Sequence, residues 1–145
     1  MKKLTSLFSI LALSITLLSG CSGSSSVDKL VSQSGMISQL SKSVGMTSSQ
    51  TEAGLGAMMM LSKNKLSAGD FSKLSSSIPG GTSDLMKKAT DLGVVPGSVS
   101  TTADIVNVLG KLGVSPVTAA KFIPEVLSLS KNLGGGAFGL LSKVF

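Results

Sequence analysis

The sequence contains no His, no Trp and no Tyr, and it has one Cys. His is the usual general acid or base near neutral pH and, with Cys, the main zinc ligand, so neither histidine-dependent catalysis nor a zinc site is expected. All 13 basic residues are Lys. Without Arg, the chain cannot form bidentate hydrogen bonds to phosphate. Without Trp and Tyr, it also lacks most of the aromatic side chains on which nucleic-acid bases stack. Nucleic acid is therefore not an expected partner.

The one cysteine, Cys21, directly follows a segment with the features of a secretory leader. Lys2 and Lys3 precede an uncharged run from Leu4 to Leu18, which has the size of a signal-peptide core and is too short to span a bilayer. The last four residues of this segment, "LSGC", resemble the bacterial lipobox. The resemblance implies a diacylglyceryl group on the Cys21 thiol, cleavage between Gly20 and Cys21, and acylation of the new amine.

Lipidation of Cys21 predicts stable attachment to a membrane. Each buried lipid CH2 contributes about 0.8 kcal/mol, so two or three acyl chains hold a protein far more firmly than one chain does. The residue after the cysteine is Ser22 and not Asp. In lipoproteins of two-membrane bacteria this implies transfer to the outer membrane, so the expected location is the bacterial envelope, with the protein facing the periplasm.

The sequence divides into a leader, a tether and one domain. Residues 1–20 are the signal peptide, residues 21–26 are the lipidated Cys and a Ser/Gly tether, and residues 27–145 have the length of one domain. Removal of Lys2 and Lys3 with the leader lowers the formal charge from its full-chain value of +6. A compact basic unit near a membrane is expected.

An internal repeat is the most informative pattern in this domain. "VGMTSSQTEAGLGAMMMLSKN" from Val44 aligns with "LGVSPVTAAKFIPEVLSLSKN" from Leu112 at a constant offset of 68 residues. After a one-residue gap at Lys65 the match continues, with Phe71 facing Phe138. We interpret residues 35–78 and 103–145, approximately, as two copies of one unit.

Residues that end one helix and cap the next occur at matching places in both copies. Gly45 and Gly113 suit the left-handed residue that ends a helix, while Thr47 and Ser115 suit the cap that begins the next one. Apolar residues recur with a helical period throughout. The sequence therefore predicts an all-α, small multi-helix bundle built from two similar helical units. The expected helices cover residues 28–34, 37–44, 48–63, 68–77, 83–92, 102–112, 116–132 and 137–144.

Breaks are expected between the helices at residues 79–81 and 95–97, where Pro and Gly cluster. Pro124 and its aligned residue Gly56 fall inside predicted helices. Both are poor helix formers, so each copy is expected to break or bend at this position. No convincing strand is predicted.

Two stretches, "DFSKLSSSIPG" from Asp70 and "LGVSPVTAAKFIPEVLSL" from Leu112, resemble the bacterial VcgC/VcgE domain family, whose function is unknown. The likeness covers residues 37–145, approximately. It implies a helical envelope or secreted protein without a known active site, and it provides no functional residues.

Three motifs suggest chemistry but lack its context. "GGGAFG" at residues 134–139 has dinucleotide-loop spacing, but a helix and not a strand precedes it. Ser-x-x-Lys spacings recur without the other elements of a serine acylase. Met58–Met60, with Met46 and Met86, could supply thioethers to Cu(I), but flexible Met in an irregular core explains them better. No cofactor or metal is predicted.

The sequence thus favours a membrane-anchored envelope lipoprotein that is not an enzyme. Its expected role is to bind another envelope protein or to give structural support. The alternative is a carrier of a lipid or other apolar ligand, held between the two halves where Gly56, Pro124 and Met58–Met60 would line a cavity.

Overall fold

A computed structural model describes residues 32–134 and 136–145, and over these ranges the chain forms seven α-helices and no strand. The predicted all-α class is confirmed. Within the same ranges no helix combines the length and the apolarity that crossing a bilayer requires. The helices are α1 Gln33–Val44, α2 Ser48–Lys65, α3 Ala68–Ser77, α4 Ser83–Asp91, α5 Thr102–Lys111, α6 Pro116–Ser130 and α7 Ala137–Leu141.

Side-chain caps begin most of these helices, and Thr47 and Ser115 are the caps that the sequence predicted. Thr47 and Thr101 each form a reciprocal capping box with the residue three positions later. Ser67 and Ser115 each accept a hydrogen bond from a first-turn N–H, and Pro116 occupies the first position of α6, where no N–H is needed.

Glycines in the left-handed region end helices, as predicted. Gly45 ends α1 with a φ of 74°, and Gly113 follows α5 with a φ of 82°. Residues 79–81 and 95–97 form the expected turns between helices. The segment from Leu92 to Ser100 is a loop with no strand pairing, again as expected.

Two predicted helix boundaries are wrong. The expected helices 28–34 and 37–44 are one helix over the described part, Gln33–Val44, capped by Ser32; residues 28–31 lie outside the described residues. Helix α7 ends at Leu141 and not at residue 144. After Leu141 the chain forms tighter turns with hydrogen bonds between residues three positions apart. In one of them the Val144 N–H donates to the Leu141 carbonyl at 2.9 Å.

The helices do not break at Pro124 and Gly56, because α6 and α2 continue through these residues. Pro124 lies on the exposed side of α6, so water can reach the Ala120 carbonyl that lost its N–H partner. Gly56 has a packing role. A Cβ at Gly56 would meet the Leu85 carbonyl oxygen and would lie 2.5 Å from Ala89 Cβ, so the missing side chain lets α4 approach α2.

The two units pack against each other reciprocally. In the first unit, α1 contacts α2, and in the second unit α5 contacts α6. Between the units, α1 contacts α6 while α2 contacts α5, and the third helices, α3 and α7, contact each other. Exchanging the two units leaves this set of contacts unchanged, as in an isologous interface. Helix α4 packs on α2 and has no counterpart among the described residues of the second unit.

Helix α2 lies at the centre of the fold, in contact with α1, α3, α4 and α5. Its buried residues are distributed around its circumference and have no single apolar stripe. Small residues let the neighbouring helices come close: a Cβ at Gly54 would lie 2.6 Å from the Phe122 ring of α6. The buried residues of α2 are Thr51, Ala53, Gly54, Leu55, Gly56, Ala57, Met58, Met59, Met60, Leu61 and Ser62.

Candidate functional site

The predicted lipidation residue Cys21 and the cleavage position at Gly20 lie outside the described residues. The same holds for the leader and the tether. The structure therefore bears only on the helical domain, where the sequence had singled out methionines, a glycine-rich stretch and Ser/Lys pairs.

The five methionines considered as soft metal ligands do not form one cluster. Met58 and Met59 are buried in the core, at 0% and 1% exposure. Three consecutive helical residues point in different directions, so they cannot face one ion. Met60, with 6% exposure, and the partly buried Met86 of α4 line one groove that does not include Met46. Among the described residues no group of three His, Cys, Asp or Glu is close enough to hold a metal ion.

The interior between the halves is closely packed. A cavity of about 20 Å³ lies there, large enough for about one water molecule. Met59 lines it, but Gly56 and Pro124, which the carrier hypothesis placed at the cavity, do not. An acyl chain would not fit at this position.

A larger groove of about 310 Å³ opens on the surface where α2, α4 and the loop after α4 meet. We call it the methionine groove. It falls in the lower part of the volume range of small-molecule sites. Its lining residues are Met60, Lys63, Asn64, Met86, Lys87, Thr90, Pro96 and Gly97.

Packing and turn geometry bring these residues together. Gly56 lets α4 lie close to α2, which sets Met86 beside Met60. The loop after α4 returns to α2, where the Asn64 amide donates to the Val99 carbonyl at 3.4 Å and the Val99 side chain is fully buried. Gly97, with a φ of 88°, turns the loop at the edge of the groove.

The groove combines an apolar part with positive charge. Met60 and Met86 contribute thioether side chains, while Lys63 and Lys87 contribute ammonium groups that form no ion pair within the described structure. The neighbouring Lys88 behaves differently, since its ammonium donates to Glu52 at 2.7 Å and fastens α4 to α2. The methionine groove therefore suits a ligand with an apolar portion and a negative charge.

Two acidic residues lie near the groove on α4 and offset part of its positive charge, but they do not line it. Asp84 and Asp91 lie one turn before and after Lys87 on α4, but neither lines the groove. Charges at the surface are screened over a Debye length of about 8 Å at physiological salt. Attraction by the groove is thus short-range and depends on direct contact with the lysines.

A family comparison identifies the chain's relatives. The sequence model of the family described as "Protein of unknown function VcgC/VcgE" matches residues 20–143. This chain belongs to that family. Family membership confirms the resemblance in "DFSKLSSSIPG" and in the segment from Leu112, but it assigns no activity. The match found for the VcgC/VcgE family covers more of the chain than the two segments suggested, beginning at residue 20 instead of about 37.

No curated protein and no solved structure gave a significant match to the chain.

Sequence reasoning identified only part of the methionine groove. The sequence suggests Met60 and Met86 only as possible sulfur ligands. It predicts no role for Lys63 or Lys87, which also line the groove. Because the lining comes from two helices and a loop, no local spacing marks it. The one available signal is the Pro-Gly turn after α4, from which the sequence predicts only a break between helices.

Proposed function

We propose that this chain is a lipid-anchored protein of the bacterial envelope that acts without catalysis, as a module that binds another envelope protein or supports structure. The methionine groove, with two thioethers beside two lysines that have no ion-pair partner among the described residues, is the observation that supports a binding role. The leader and the lipobox-like quartet before Cys21 support the anchoring.

The groove fits an acidic segment that also carries an apolar side chain. Met is unbranched and polarisable, so Met60 and Met86 can adapt to different apolar shapes. Lys63 and Lys87 lie on two different helices, and a carboxylate between their ammonium groups would gain from both. An acidic, partly apolar segment of a neighbouring envelope protein is therefore the proposed ligand.

Photo-crosslinking in cells tests this binding. A photoreactive residue at exposed Thr90 should crosslink to a protein of defined mass, and the product should disappear when Lys63 and Lys87 are both changed to Glu. The matched control changes Lys42 and Lys111 to Glu, two exposed lysines in the last turns of α1 and α5. If the crosslinked product survives reversal of the groove lysines, the groove does not bind that protein.

Anchoring requires a separate experiment. The N-terminal peptide of the protein isolated from cell membranes should begin at Cys21 and carry the mass of a diacylglyceryl group and one further acyl chain. A Cys21→Ala variant should lack these masses and leave the membrane fraction. An intact leader or a free Cys21 thiol in the natural product would refute the proposed anchor, and sucrose-gradient separation of the membranes tests the outer-membrane location.

A carrier of an anionic amphiphile is the second proposal, and the same groove favours it. Its volume of about 310 Å³ accommodates a small apolar ligand, and its lysines could hold a carboxylate or phosphate head. Native mass spectrometry distinguishes the proposals. A co-purifying small molecule that is lost when Lys63 and Lys87 are reversed supports the carrier, whereas an empty groove together with a specific protein crosslink supports the binding module.

A further inference from the structure

Helix α6 exposes a face whose counterpart on α2 is covered. At the offset of the internal repeat, Glu52 and Gly56 of α2 correspond to Ala120 and Pro124 of α6. On α2 these positions meet α4: Glu52 pairs with Lys88 at 2.7 Å, and Gly56 lies against the backbone of α4. Over residues 103–134 and 136–145 the second unit has no helix equivalent to α4, and its Ala120 and Pro124 are exposed.

The exposed residues of α6 form one continuous face. At 100° per residue, and leaving out Pro116 at the first position, they span an arc of about 140°, opposite the buried Ala119, Phe122 and Val126. The face includes one large apolar side chain, Val117, with 67% exposure. We call it the α6 face, and its members are Val117, Ala120, Lys121, Pro124, Glu125 and Ser128.

The charges of the α6 face are complementary to themselves. Lys121 and Glu125 form no ion pair with any residue in the described ranges. They lie one turn apart on the same flank of the helix, about 6 Å along its axis. When two such helices pack antiparallel around a two-fold axis, the same flanks meet, and Lys121 of each copy then faces Glu125 of the other.

We propose that the α6 face is the contact between two copies of this chain, with the two α6 helices antiparallel around a two-fold axis. Val117 of each copy packs near Ser128 of the other, while Ala120 and Pro124 keep the centre of the contact flat. Lys121 and Glu125 form two reciprocal ion pairs. The α6 helix of the second copy thereby covers the place that α4 covers on α2.

This dimer is weak, because one face of a four-turn helix buries less area than a stable interface needs. Small residues at the centre allow the helices to approach to about 8–10 Å between axes. Dissociation in the micromolar range is therefore expected. The dimer does not depend on the methionine groove, which is lined by α2, α4 and the loop after α4.

Charge reversal tests the arrangement directly. The full chain, extracted from membranes in mild detergent, is examined by sedimentation equilibrium with the detergent density-matched, from about 1 µM to about 1 mM. The unaltered chain should show a monomer–dimer equilibrium. Lys121→Glu and Glu125→Lys, each alone, place like charges across the axis and should raise the dissociation constant roughly tenfold. The double variant restores opposite charges and should return close to the original value.

Two controls keep the result interpretable. The exposed residues of α6 are not part of the core, so helical circular dichroism should be unchanged in every variant. Lys42→Glu, on α1, changes the net charge by the same amount as Lys121→Glu and should not alter the dissociation constant. A chain that stays monomeric up to about 1 mM, or single reversals that leave the dimer unchanged, would overturn the proposal.

Discussion

Gly56 lets α4 pack directly on the backbone of α2, and a methyl group there has no space. We predict that Gly56→Ala destabilises the protein by about 1–3 kcal/mol through overpacking against Leu85 and Ala89, although Ala favours helices. Gly110→Ala is the matched control, since Gly110 is helical, exposed and has no atom within 4 Å of the added Cβ. This control should gain about 0.5–1 kcal/mol. Urea unfolding measures both, and equal effects of the two substitutions would contradict the assigned packing role.

The stabilisation that Asp104 provides at the start of α5 depends on pH. Its carboxylate accepts hydrogen bonds from the Ser100 N–H at 2.9 Å, from the Thr101 hydroxyl at 2.9 Å and from the Thr101 N–H at 2.8 Å. These bonds, the one from Ser100 first, hold the pKa of Asp104 below its usual value. A lowered pKa in the folded state means that the stabilisation is present above the unfolded-state pKa and is lost as pH falls through the folded one.

We therefore predict that Asp104→Asn lowers the melting temperature at neutral pH. The difference from the unaltered protein should shrink as the pH falls below about 4, where the carboxylate protonates in both states. Thermal unfolding followed by circular dichroism across this range is the measurement. A difference that stays constant to low pH would show that the charge of Asp104 does not contribute.

At the scale of the helix, α6 shows how an interior proline is tolerated. Pro124 gives the Ala120 carbonyl no N–H partner, and both residues lie on the exposed side, where water replaces the missing bond. We predict that Pro124→Ala stabilises the protein by about 2 kcal/mol, because the restored helical bond outweighs the added freedom of the unfolded chain.

Pro116→Ala is the control for this prediction, since Pro116 is the first residue of the same helix and no N–H bond is missing there. Its effect should be close to zero or slightly destabilising. Midpoints of urea unfolding at constant slope give both values. A loss of stability in Pro124→Ala would mean that the proline has a structural role that the helix geometry does not explain.

At the scale of the whole molecule, the reciprocal packing makes the two units depend on each other. The Gln50 amide of α2 donates to the Leu112 carbonyl at 2.8 Å, and the Phe122 ring lies against Gly54. Without the second unit, α2 would lose the cover that α5 provides, and α1 would lose α6. Neither unit can then bury its apolar faces alone.

We predict that a cut in the exposed loop after α4 leaves two fragments that remain associated. A protease site placed at Ser98, which is exposed, should be cleaved, and the fragments should co-elute and unfold in one transition. Each fragment produced separately should lack a cooperative melting transition. A first fragment that folds by itself would show that the halves are independent.

The parts of the structure that the sequence predicted are local. A Thr or Ser at a helix start needs only the next turn to accept its hydrogen bond, and a glycine at a helix end needs only its own positive φ, so Thr47, Ser115 and Gly113 were assigned correctly. The repeat gave the order of helices because it preserves these local signals. Family membership, too, could be recognised in short stretches.

Tertiary packing decided the rest. Whether Gly56 breaks a helix or admits a neighbour depends on α4, which lies about thirty residues away along the chain. The methionine groove exists because a loop returns to α2, and the α6 face is exposed because the described part of the second unit has no helix equivalent to α4. Hydrogen bonds at helix ends act over one turn and can be read from neighbouring residues. Surfaces arise where distant segments meet or fail to meet, which only the folded chain determines.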